Sequence, residues 1–135
     1  MPTKTFPAQF DYLDEIREFV GEKARSAGFN DKEVYSIQLA TDEAASNIIE
    51  HAYEGRSSGS FEVSCEFANR KLVISLHDHG KKFDPSKVAK PDLKADLADR
   101  KIGGLGIYLM RKLMDEVRYE SSSSGNLLTM VKRKG

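Results

Sequence analysis

The chain has 135 residues, 39% of them hydrophobic and 31% charged, the balance of one compact domain that buries its own core. Its 21 basic and 21 acidic residues cancel, which argues against a strongly basic binder of nucleic acid. No apolar run reaches the ~20 residues of a membrane helix, the opening MPTKTFPAQF has no signal-peptide core, and a single cysteine, Cys65, cannot close an internal disulfide, so the expectation is a cytoplasmic protein with no direct nucleic-acid or membrane partner.

Residues 2–8 predict a short edge strand ended by Pro7. From Asp11 to Ala27 the apolar residues Leu13, Ile16, Val20, Ala24 and Ala27 recur at helical spacing, and Gly28 is the expected stop. Asn30 followed by Glu33 has the form of a capping box, opening a second helix to about Tyr53 with a core stripe of Val34, Ile37, Thr41, Ala44 and Ile48. A loop over 55–59 leads to two strands, 61–67 and 71–77, joined by the three residues 68–70. Cys65 falls on the apolar side of the first of these, with Phe61, Val63 and Phe67, and reads as core. Residues 79–102 form a long polar segment with Pro85 and Pro91 and a short helical stretch near Asp92–Asp99; loops of this length inside a compact domain are usually functional. A helix from Gly103 to about Met114 follows, then a hairpin of 117–121 and 127–133 around the turn Ser-Ser-Ser-Gly-Asn. Tight turns between adjacent strands predict a largely antiparallel sheet with helices on one face, an α+β two-layer sandwich.

Charge is uneven along this order. Residues 31–54 carry six acids against one base, and residues 81–101 carry seven bases against four acids. An acidic helix and a basic loop can hold a metal–phosphate ligand between them, or can be two solvated faces.

Three clusters carry candidate chemistry. Glu43 and Asn47, with His51 beyond them, recur at four-residue steps, so all three are expected on one face of the second helix. An amide oxygen there suits Mg²⁺, and a carboxylate can take a proton from an attacking hydroxyl; a solvated polar face has the same pattern. Asp78-His-Gly80-Lys-Lys-Phe83 follows the second long strand. Its carboxylate can accept from an exocyclic amine such as that of adenine, with Gly80 permitting close approach, although an Asp-x-Gly turn needs no ligand. Gly103-Gly104-Leu105-Gly106 lies at a helix start, where free amides and the helix dipole favour an anion; a hinge before a helix reads the same way. Neither a Walker P-loop nor a Rossmann fingerprint is present. His51, His77 and His79 lack zinc-site spacing. His51 is expected to line the pocket, and His77 and His79 to be surface or turn residues.

In this order the clusters resemble the N, G1 and G2 boxes of the GHKL ATPase superfamily. ATDEAASNIIEHAYEG, HDHGKKFDP and GGLGIYLMRKLMDEVRY are most similar to the anti-sigma-factor serine kinase family, as is the opening PAQFDYLDEIREFV, so the likeness covers nearly the whole chain. The resemblance implies a Bergerat-type ATP-binding sandwich with a largely antiparallel mixed sheet. It implies Asp78 as the adenine acceptor, Gly80 as the glycine that admits adenine, and Asn47 as the Mg²⁺ ligand. Glu43 becomes the general base, Gly103, Gly104, Leu105 and Gly106 the phosphate loop, and residues 84–102 the ATP lid. His51 and Phe83 fall at the pocket, while Arg100 and Lys101 are placed to neutralise phosphate charge. Lys82 stands where many GHKL proteins have a second glycine, a departure common in the anti-sigma branch. No phosphoacceptor-histidine segment precedes the domain, which argues against a complete sensor kinase. The implied activity is that of an anti-sigma factor and homodimeric kinase. With Mg·ATP it phosphorylates a serine or threonine of a STAS-type anti-anti-sigma antagonist that otherwise displaces the sigma factor. A non-catalytic nucleotide-dependent binding module, and an orphan histidine-kinase catalytic domain with a separate His-bearing partner, are the competing readings.

Overall fold

The computed structural model of the chain describes residues 2–53, 59–81 and 102–135, with side chains from residue 108 onward in the last stretch. The elements run β1 (Thr3–Pro7), a 3-10 turn, α1 (Leu13–Ser26), α2 (Asp31–Asn47), a π-helical turn (Ile48–Ala52), β2 (Ser60–Ala68), β3 (Lys71–Asp78), α3 (Ile102–Leu113), β4 (Glu116–Ser122) and β5 (Gly125–Arg133).

Each helix follows from local chemistry. Residues Ile16, Val20 and Ala24 are buried along one stripe of α1, and Gly28, at φ +94°, ends the run. The capping box before α2 is complete. Asn30 Oδ1 accepts from the Glu33 amide at 2.8 Å, and Glu33 Oε1 accepts from the Asn30 amide at 3.0 Å. All five expected core residues of α2 are buried, and Ala40, Ala45 and Asn47 join them. At the end of α3, Lys132 Nζ donates to the Leu113 carbonyl at 2.8 Å, a cation on free helix acceptors.

The sheet order is β1-β2-β3-β5-β4, and every described pairing is antiparallel. This is the largely antiparallel sheet that the tight turns predict. β4 runs parallel to β3, with β5 returning between them. The β2–β3 connection is also shorter than expected: two residues, Asn69 and Arg70, at φ 52° and 61°, form the primed type of turn whose twist matches the strands. Likewise Gly125 and Asn126 belong to β5, and Ser123-Ser124 alone make the last turn.

Strand alternation then sorts the two faces. Phe61, Val63 and Cys65 of β2, Leu72, Ile74 and Leu76 of β3, and Leu128 and Met130 of β5 point under the helices and are buried. Cys65 is core, as expected, and burial pushes its thiol up to about 12, which leaves it protonated and inert. The other face, including Glu62, Ser64, Ser75 and His77, is open to solvent. None of the described helices is long and apolar enough to cross a membrane.

Candidate active site

At the β2 end of β3 the inward parity brings polar residues onto the core face. One cross-strand row reads Phe61, Asp78, Asn126, Ser121. Asp78 is only 4% exposed and Asn126 only 3%, so both must be satisfied locally. Asp78 Oδ1 accepts from Asn126 Nδ2 at 2.8 Å and from the Gly80 amide at 2.9 Å. Asn126 also donates to the carbonyls of Gly80 and Lys81, and accepts from Ser121 Oγ at 2.9 Å. Both bonds fall on the Oδ1 oxygen of the carboxylate, and Asp78 lines the cavity described below. Burial lifts the Asp78 carboxyl above its ordinary range, against the opposing hydrogen bonds of Asn126 and Gly80 and the nearby His77 and His79.

Across from this row stands the end of α2. Asn47 is 4% exposed, and its Nδ2 is buried without a hydrogen-bond partner among the described residues. Such an orphan costs about 1–3 kcal/mol, and a bound ligand would relieve it. The same amide carries an oxygen, and half a turn of the group exchanges the two atoms, so the donor set fits a hard cation such as Mg²⁺. Ala44, Asn47, Ile48, Ala52, Asp78, Tyr119, Asn126 and Leu128 enclose a cavity of about 20 Å³ between helix and sheet. That volume holds a water molecule and is too small for a purine. A wider groove of about 530 Å³ crosses the open face of the sheet and contains none of the expected site residues.

Glu43, one turn before Asn47, is half-buried and does not line the small cavity. Its carboxyl is raised chiefly by burial and then by the charges of Asp42 and Glu50, the direction a general base requires. Arg17 of α1 holds this part of α2. Its Nε and Nη2 donate to Asp42 Oδ2 at 3.0 and 2.7 Å.

His51 lies in the π-helical turn that follows α2. Tyr53 N bonds to Ile48 O in an i→i+5 pattern, which widens the turn. His51 is absent from the cavity wall, and its Nε2 lies 3.8 Å from Glu50 Oε2. Gly80 also has a reason beyond ligand access. A Cβ there would come within 2.5 Å of the Ala52 carbonyl and 3.0 Å of the Tyr53 ring, and the Lys81 amide bonds to that same carbonyl at 2.7 Å.

Gly103, Gly104, Leu105 and Gly106 lie in the opening turns of α3, where the first amides of a helix have no internal acceptor. Phe83, Arg100, Lys101, the proposed lid 84–102 up to residue 101, the helical stretch near 92–99 and most of the 55–59 loop lie outside the described residues.

Two contributors escaped the sequence reading. Asn126 was assigned to a turn, although its even spacing with Leu128 and Met130 on the core face of β5 was a usable signal. Tyr53 ties the pocket together. Its hydroxyl donates to the Ser60 carbonyl at 2.6 Å and accepts from the His79 amide at 3.0 Å, locking the π turn to β2 and β3.

The five-stranded sheet with helices on one face is the sandwich of the GHKL ATPase class. The RsbU and RsbW domains of a Mycobacterium tuberculosis protein superpose with a TM-score of 0.68 at 19% identity, over 98% of this chain and 32% of that one. The catalytic domain of the histidine kinase ThkA does so with a TM-score of 0.56 at 15% identity, over 99% and 98%. Residues 6–132 match the histidine kinase-like ATPase domain family. The serine-protein kinase RsbW of Bacillus pumilus is 33% identical over 132 residues, 93% of this chain and 81% of that protein. RsbW of Listeria monocytogenes is 30% identical over 120 residues, covering 86% and 76%. The chain belongs to the histidine kinase-like ATPase family and, within it, to the RsbW-type serine-protein kinases.

Proposed function

We propose that the chain is a cytoplasmic anti-sigma factor and homodimeric protein kinase. With Mg·ATP it would phosphorylate a serine or threonine of a STAS-type antagonist in a partner-switching system. The observation that carries this reading is the convergence of Asp78 and Asn47 on one buried cavity, where the Asn47 Nδ2 is satisfied by no described residue.

In this reading Asp78 Oδ2 accepts from the adenine amine, and Asn126 keeps the carboxylate oriented. Guanine carries a carbonyl at that place and is rejected, because two acceptors would face each other. The amides at the start of α3 meet the phosphates. Mg²⁺, held through Asn47, supplies charge neutralisation along the phosphates. Glu43 takes the proton of the partner's hydroxyl as its oxygen bonds to the γ-phosphorus. The bond from that phosphorus to the β–γ bridging oxygen breaks, and ADP leaves.

The test is transfer from labelled Mg·ATP to STAS-type antagonists encoded in the same genome. Glu43→Gln should lower transfer by roughly 10²–10⁴-fold while nucleotide still binds. Undiminished transfer in that variant removes Glu43 as the base. Binding of ATP with no transfer to any antagonist favours the non-catalytic binding module.

A further inference from the structure

Outside the nucleotide cavity, the open face of the sheet gathers a second group of ligating side chains. His77 and His79 share that face because they are two residues apart at the end of β3. The β2–β3 register sets Glu62 directly opposite His77. Glu62 Oε1 lies 3.3 Å from His79 Nε2 and 3.7 Å from His77 Nδ1, and the three ligand atoms all fall within 4.8 Å of one another. Bonds of about 2.0–2.2 Å to a tetrahedral metal set its ligands roughly 3.3 Å apart, so small side-chain movements close the site.

The tautomer of His77 is also set. Its Nε2 lies 3.0 Å from the Ser124 carbonyl, which can only accept, so Nε2 carries the hydrogen. Nδ1 of the neutral ring then turns a bare lone pair toward Glu62 and His79. A backbone carbonyl holding the far nitrogen is the usual outer support of a metal-bound histidine. The spacing of the histidines along the chain shows no zinc pattern, because the third candidate ligand, Glu62, lies on the neighbouring strand.

We propose that Glu62, His77 and His79 form a surface site for a divalent transition metal of the zinc class. Two imidazoles and one carboxylate select such a metal over Mg²⁺, which prefers an all-oxygen shell. His79 is more than half exposed, so the remaining coordination position opens to water or to a ligand from another protein. Asp78 stands between the two histidines in the chain and faces the other way, into the nucleotide cavity.

The test is titration of the nucleotide-free full chain with Zn²⁺ by calorimetry, in buffer with and without millimolar Mg²⁺. One Zn²⁺ per chain is expected, unaffected by Mg²⁺. Affinity should fall at least about tenfold in His79→Ala and in Glu62→Gln, with circular dichroism checking that each variant is folded. His79 is exposed at the strand end, so its removal leaves the core intact. Absence of Zn²⁺ binding overturns the proposal and leaves an imidazole–carboxylate hydrogen-bonded cluster. Binding undiminished in both folded variants overturns it equally, by placing the metal elsewhere.

Discussion

Asp78 holds a carboxyl in a place that resists its charge, and the consequence is measurable. Burial raises its folded-state pKa, so between the unfolded value of about 3.9 and the folded value the native chain binds more protons than the unfolded chain. The slope of stability with pH is therefore negative in that window. The contribution is complete below the unfolded value and lost as pH rises through the folded one. Asn in place of Asp keeps an acceptor for Asn126 and Gly80 without the buried charge. Asp78→Asn should thus unfold at a higher temperature than the parent at pH 7, with the difference vanishing below about pH 4. It should bind ATP at least about tenfold more weakly, since one charged acceptor to the adenine amine is lost. Melts across pH, paired with nucleotide titration, check both; a variant less stable at pH 7 contradicts the burial argument. Asn47 belongs to the same pattern, for its unpartnered buried nitrogen is a cost the folded chain carries in the absence of ligand.

At the scale of elements, the turns and the irregular helix end set what the site contains. Asn47 at the end of α2 lines the cavity, and His51 in the π turn beyond it does not. Tyr53 and the Gly80–Ala52 contact then pin that turn to β2 and β3. The β2–β3 turn fixes the register that pairs Glu62 with His77 and Phe61 with Asp78. It does so with a left-handed Arg70 at φ 61°, a conformation that costs an L side chain roughly 1–2 kcal/mol. Glycine avoids most of that cost but loses more chain entropy. Arg70→Gly, which creates the favoured Asn-Gly pair, should gain roughly 0.5–1 kcal/mol, read as a higher midpoint in urea. An unchanged or lower midpoint would mean that the exposed bond from Arg70 to the Gly135 carbonyl outweighs the strain.

The whole molecule is one sheet with two unlike faces. Helices cover the side that bears Asp78 and Asn126, and between them lies a cavity with room for little more than a water molecule. A nucleotide that binds there must be bound by the folded state alone, so it stabilises the entire chain. At a hundred times its Kd, Mg·ATP should add about 2.7 kcal/mol, a rise in Tm on the order of 10 °C for a chain of this size. Mg·GTP should give little of this shift, and chelating Mg²⁺ should reduce the shift seen with ATP. Equal shifts for ATP and GTP in differential scanning calorimetry would contradict the adenine role of Asp78.

Much of this was legible along the chain. The helical stripes, the Asn30–Glu33 box, the alternation of 61–67 and the order of the three clusters are local patterns. They report burial or capping within a few residues; the structure carries the stripes, the box and the alternation of 61–65 where expected, whereas Phe67, expected on the core side, is 38% exposed. Contacts across the sheet were not legible in this way. Asn126 beneath Asp78 and Glu62 beside His77 depend on register, and register is decided by turn length together with which strand face is buried. A turn of two residues in place of three would shift every such pairing by half a pleat repeat, so these neighbours exist only once all five strands have closed on one core. The π turn after α2 was not legible for the same reason. Its i→i+5 bond sits where Tyr53 and Ala52 meet His79, Gly80 and Lys81, residues far away in sequence that come together only when the sheet has formed.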